Sequence, residues 1–116
     1  MTTVLSSQLR RRLTDIARNM VAGQMDLLDG VRRLDALATE LGVALDEPYI
    51  IFKGIASQAD EFPDEKTRAY FEPEALRRLD ESKRDFVDAF RDRILEACQL
   101  VLMSAEPYDG ESPKVD

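Results

Sequence analysis

The chain has 116 residues, 44% of them hydrophobic and 34% charged, with no histidine, no tryptophan and a single cysteine. That length and balance suit one soluble domain able to bury a core without disulfides or metal, and the missing histidine excludes Ser-His-Asp and Cys-His catalysis within the chain. The net charge of −7 is uneven: residues 1–42 carry +1, residues 43–75 carry −5, residues 76–104 are neutral and residues 105–116 carry −3.

In chain order, the first predicted helix runs from Val4 to Ala22. Leu5, Leu9, Leu13, Ile16 and Met20 recur at steps of four and three, which places them on one stripe. Gly23 then suits a left-handed C-cap. Asp26 is placed to cap a second helix carrying Leu27, Leu28, Val31, Leu34, Ala38 and Leu41, with Asp29 near its positive end and Gly42 as its C-cap. The short connection predicts an antiparallel hairpin.

The middle of the chain is harder to assign. Asp46-Glu47-Pro48 looks like an N-cap with proline in the first turn, which would start a short helix through Tyr49, Ile50, Ile51, Phe52 and Ile55. The β-branched and aromatic content of that run also fits a strand, but no partner strand exists elsewhere, so helix is the better reading. Gly54, Ser57 and Pro63 read as loop, and Asp64 to Phe71 as a short helical turn. The last helix is the longest, with Pro73 in its first turn and its end near Ser104. Its stripe is Leu76, Leu79, Phe86, Phe90, Ile94, Ala97 and Val101, with Lys83 interrupting. Some 30 residues make a rod of roughly 45 Å, long enough for part of it to project or to meet a second copy through Val87 and Leu102. The expected fold class is therefore all-α: a helical hairpin, short middle helices and a long C-terminal helix. Residues 1–105 form the domain and residues 106–116 a disordered acidic tail.

Carboxylates are the plentiful reactive group. Glu81, Asp85, Asp88 and Asp92 share one face of the long helix, opposite the apolar stripe and flanked by Arg77, Arg84 and Arg91, which reads as a solvated, salt-bridged face. A catalytic carboxylate needs burial to tune its pKa, and that face lacks it. Zinc fails for want of ligands, and no phosphate-cradling glycine motif is present, so neither cofactor nor metal is expected. Arg10, Arg11 and Arg12 splay around the first helix, and the acidic balance of the chain argues against nucleic acid. No apolar run reaches the ~20 residues of a membrane span. Cys98 beside Ala97 reads as a buried thiol, and a lone cysteine with no signal segment suggests a cytoplasmic protein.

The remaining candidate is the middle segment, where Asp60, Glu61, Asp64 and Glu65 bracket Phe62 and Pro63. Acids around an aromatic in a loop fit an epitope for a basic protein. From Asp46 to Cys98 the chain also resembles a group of small bacterial proteins with no established function. The resemblance is carried by Asp46-Glu47-Pro48 with Phe52 and Gly54-Ile55; by Ser57, Asp60, Pro63, Arg68 and Phe71; by Glu74-Ala75-Leu76; and by Glu96-Ala97-Cys98. The preceding helix pair, with Gly23 and Gly30, is similar too, so the likeness spans most of residues 9–98. Gln58 and Ala59 stand where that group more typically has an acid and a threonine, and Phe71 where it has tryptophan. The resemblance implies a shared fold and supplies no reaction. The expected function is a non-enzymatic, immunity- or antitoxin-like module that masks a basic partner. The alternatives are a homodimer built on the long helix and, last, a carboxylate-only enzyme using a metal ion.

Overall fold

Among the described residues five α-helices make up the architecture: α1 (Thr2–Val21), α2 (Leu27–Leu41), α3 (Ile50–Gln58), α4 (Glu65–Arg68) and α5 (Pro73–Asp109), with one 3-10 turn at Ala59–Glu61 after α3. The computed structural model describes residues 2–63 and 65–109, and no strand occurs among them. α1 packs on both α5 and α2, and α3 sits against α2.

The hairpin forms as its punctuation dictates. At Gly23, with φ of 77°, the Gly23 N–H donates to Met20 O and the Gln24 N–H to Asn19 O. At Gly42, with φ of 80°, the Gly42 N–H donates to Thr39 O and the Val43 N–H to Ala38 O. Both are Schellman closures, in which a left-handed glycine lets the chain turn back to satisfy orphan carbonyls. Asp26 caps α2 by accepting from the Asp29 N–H at 2.9 Å.

The core is the meeting of three stripes. Leu13, Ala17 and Met20 of α1, Leu28, Val31 and Leu34 of α2, and Ile94, Cys98 and Val101 of α5 are almost wholly shielded from solvent. Phe52 and Ile55 add α3 to the same cluster. Gly30 lets α1 and α2 approach closely, because a side chain there would run into Met20.

The middle segment differs from expectation at two points. Asp46-Glu47-Pro48 does not open α3. The chain turns through residues 44–49 with the Glu47–Pro48 peptide cis, Pro48 is buried, and the helix starts at Ile50. The proline therefore belongs to the turn and not to the first turn of α3. Gly54 and Ser57 do not mark a loop but lie inside α3. Phe52 and Ile55 hold the helix against α2, and Gly54 faces open space, so burial overrides the weak propensity of glycine.

α5 behaves as two halves. From Pro73 to Arg93 no residue is fully buried, whereas Ile94, Ala97, Cys98 and Val101 are. Met20, near the end of α1, meets Cys98, so the hairpin clothes the second half. The first half is partly covered by the middle segment instead: Phe62 stacks on Phe86 at 5.6 Å and Arg68 reaches Asp80. Val87 and Leu102 are not an exposed seam, because both are half-buried against the core. Among the described side chains of α5, the exposed large apolar ones are Leu100 and Met103. The helix runs on to Asp109, past Ser104 and into the stretch read as tail. Residues 110–116 of that tail lie outside the described residues.

Candidate functional site

The end of α3 is held by a side chain from α2. Arg32 donates from one guanidinium nitrogen to Ala59 O at 2.9 Å and to Phe62 O at 3.0 Å. The Phe62 N–H also donates to Ala59 O, which closes the 3-10 turn. These bonds fix the backbone on both sides of Asp60 and Glu61. Ala59 and Phe62 are buried, while Asp60 and Glu61 are exposed. Neither carboxylate has an ion-pair partner among the described residues. The local pattern is therefore buried, exposed, exposed, buried, as a short turn anchored at both ends requires.

Phe62 does not serve as a surface aromatic. Its ring is 5% exposed and stacks on Phe86, which in turn lies 5.0 Å from Phe90. Apolar burial outweighs display for a ring flanked by a core helix. Its role is to anchor the acidic edge. Asp64 lies outside the described residues, and for Glu65 the description is confined to its place at the start of α4. Of the expected epitope, Asp60 and Glu61 are thus the described acids at the surface, with Arg32 and Phe62 behind them.

Arg32 escaped the sequence reading because it looks like one more charge on an exposed helix face. Its carbonyl partners lie 27 and 30 residues away in the chain, so no local pattern reveals it. A second long-range tie, Arg68 to Asp80, is bidentate at 2.7 and 3.0 Å. Hydrogen bonding from Arg68 holds the Asp80 carboxyl below the usual carboxylate range. Lys83, which interrupts the α5 stripe, reaches the capping residue Asp26 at 3.6 Å. Its charge is therefore answered where the apolar face passes the start of α2.

The other candidates do not gather into a site. Glu81, Asp85, Asp88 and Asp92 are all exposed, and Asp88 pairs with Arg91 at 2.7 Å. No group of three or more Cys, Asp and Glu residues converges to hold a metal ion among the described residues. Asp35 Oδ1 is shut away from solvent with no hydrogen-bond partner there. A cleft of about 340 Å³ lies between the α1–α2 turn and α5, lined by Met20, Met25, Leu27, Val87 and Leu95 with Asp26 and Arg91 at its rim. It offers one carboxylate, already engaged in capping α2 and pairing Lys83. Cys98 is buried, and burial pushes its thiol up to about 12. A thiol held so firmly protonated is not a nucleophile.

No helix among the described residues is long and apolar enough to cross a membrane. Several residues that carry the resemblance to small bacterial proteins are structural: Phe52, Ile55, Ala97 and Cys98 are core, and Gly23 is a cap. No protein family, no curated protein and no solved structure matches the chain.

Proposed function

We propose that the chain is a non-enzymatic binding module that recognises a basic protein, in a cytoplasmic setting, through the acidic edge at Asp60 and Glu61. The observation that supports this is the mounting of that edge. Two exposed carboxylates without cationic partners among the described residues stand on a turn whose backbone is fixed by Arg32 and whose base is a buried phenylalanine. Holding charges in place costs conformational entropy before any partner arrives, so less is lost on binding. The segment around them, residues 43–75, has a net charge of −5 against −7 for the whole chain, which attracts basic surfaces and repels nucleic acid. An immunity- or antitoxin-like masking role fits such a surface, because blocking a basic partner requires no reacting group.

The test is affinity capture at low salt with the full-length protein as bait, beside a bait carrying Asp60→Asn and Glu61→Gln. The wild-type bait retains a basic protein, the double variant loses it, and added salt slows association. If both baits retain the same proteins, or neither retains a basic one, the reading is wrong. A homodimer through α5 has weaker support, since Val87 and Leu102 are half-buried against the core.

A further inference from the structure

Charges on a single turn steer a basic partner but hold it weakly, because exposed ion pairs contribute little. α3 carries a second acidic turn at its other end. Ala44 and Pro48 are buried there, while Leu45, Asp46 and Glu47 between them are exposed. The Asp46 N–H donates to Val43 O and the Ile50 N–H to Asp46 O, so this turn too is tied to its own backbone. None of Asp46, Glu47, Asp60 and Glu61 forms an ion pair among the described residues. Residues 44–61 carry a net charge of −3, with Lys53 as their cation. Arg32 is held by Ala59 O and Phe62 O, and Arg10 comes near Tyr49. With both counted, the charge is still −1.

Between the two turns runs the outward face of α3. At about 100° per residue, Ile50, Gly54 and Ser57 lie opposite the buried Phe52 and Ile55, and all three are exposed. Leu45 and Ile50, 70% and 41% exposed, put apolar surface beside the first acid pair. Gly54 answers no need within the chain. Its φ is not positive, and a Cβ there would meet nothing within 4 Å. A glycine inside a helix is destabilising relative to alanine, and what it allows is close approach by another molecule.

We propose that the face of α3 between Asp46–Glu47 and Asp60–Glu61 is a docking surface for a basic segment of a partner protein, cationic at two points, with an apolar side chain seated over Gly54 beside Ile50. The inference rests on the reading of the chain as a binder of basic proteins and extends that epitope from one turn to two. α3 has 9 residues, a length of about 14 Å, so the acid pairs beyond its ends stand roughly 15–20 Å apart. Two charge contacts at that separation, with apolar contact between them, hold a partner that one contact does not.

The experiment follows backbone amide shifts of the nitrogen-15-labelled full-length protein by NMR at low salt. The probe is a synthetic peptide of two arginine pairs flanking a Gly-Ser-Leu-Ser-Gly centre, which sets the pairs up to about 20 Å apart when extended. A second peptide of the same composition carries all its arginines together at one end. Amides of both acidic turns and of Gly54 move with the first peptide, which binds about 2- to 10-fold tighter than the second. Asp46→Asn with Glu47→Gln, and Asp60→Asn with Glu61→Gln, each weaken the first peptide about 2- to 10-fold. Glu81→Gln with Asp85→Asn, an equal loss of charge on α5, weakens it less than either. Gly54→Ala raises Tm by about 3–6 °C and Gly54→Gln leaves the protein folded, yet both weaken the peptide, glutamine more than alanine. Unmoved amides at Asp46, Glu47 and Gly54, or a Gly54→Gln protein that binds as wild type does, overturn the proposal. Weakening confined to the Asp60 and Glu61 variant leaves the acidic edge standing and removes the α3 face. Weakening in the Asp46, Glu47 and Gly54 variants with none at Asp60 and Glu61 removes the acidic edge, and the two-ended surface with it. Self-association that Gly54→Gln abolishes, seen by light scattering, makes the occupant a second copy and also overturns the proposal.

Discussion

Replacing Arg32 with methionine tests the support of the acidic edge most directly. Methionine keeps most of the aliphatic stem, so packing changes little, but it removes both donated hydrogen bonds. Phe62 O loses its Arg32 donor, while Ala59 O keeps the Phe62 N–H. Hydrogen bonds to charged groups contribute about 1.5–3 kcal/mol each, and with Ala59 O still satisfied the loss is that of about one such bond, the one to Phe62 O. The expected loss is about 2 kcal/mol, which for a domain of this size lowers Tm by about 6–12 °C. Hydrogen exchange should localise the change, with amides in residues 59–62 losing protection before those of α1 and α2. Arg32→Lys keeps the charge but not the planar fork, and should fall between wild type and Arg32→Met. A melt of Arg32→Met within about 2 °C of wild type would show that the guanidinium is a bystander, and the argument for a pre-set acidic edge would fail with it.

Gly30→Ala should destabilise by about 1 kcal/mol, because the overpacking cost against Met20 exceeds the gain in helix propensity. With Met20→Ala already present the same change should stabilise, and denaturant midpoints for the four proteins of that cycle decide it. Asp26→Ala removes the α2 cap and the Lys83 partner together, and should cost about 1–2 kcal/mol by urea denaturation. Cys98 carries a pH signature. The unfolded thiol loses its proton near 9.0 and the folded one only near 12, so the folded state binds that proton more tightly. Its contribution is fully present below about pH 9 and is lost as pH rises toward 12. Denaturation midpoints of wild type and Cys98→Ala should therefore converge over that window, and parallel curves would refute the assignment.

What could be read in the sequence was whatever is local. Gly23, Gly42 and Asp26 declare their roles because a positive φ or a cap is settled within four residues of chain. The stripes of α1 and α2 are legible because helical period and burial coincide there. Pro48 misled because a proline after an acid has two uses, a first helical turn or a reverse turn, and the sequence does not distinguish them. Gly54 misled because its tolerance depends on the open space beside it. Of the epitope, the exposure of Asp60 and Glu61 was legible from charge, while the burial of Phe62 depends on Phe86, 24 residues on.

The divided burial of α5 shows where pattern reading reaches its limit. Leu76, Leu79, Phe86 and Phe90 continue the period of Ile94, Ala97 and Val101 with Lys83 as the interruption, so periodicity assigns them one environment. They do not share one. The hairpin covers the second half with α1, whereas the first half is left to Phe62, to Lys83 with Asp26, and to a four-residue helix held by Arg68. Burial depends on what the rest of the chain can bring to the face. A chain that maintains apolar residues on the thinly covered half bears a solubility risk there. The Phe62–Phe86 contact and the Arg68–Asp80 pair lower the risk, each reaching that half from a distant point in the chain.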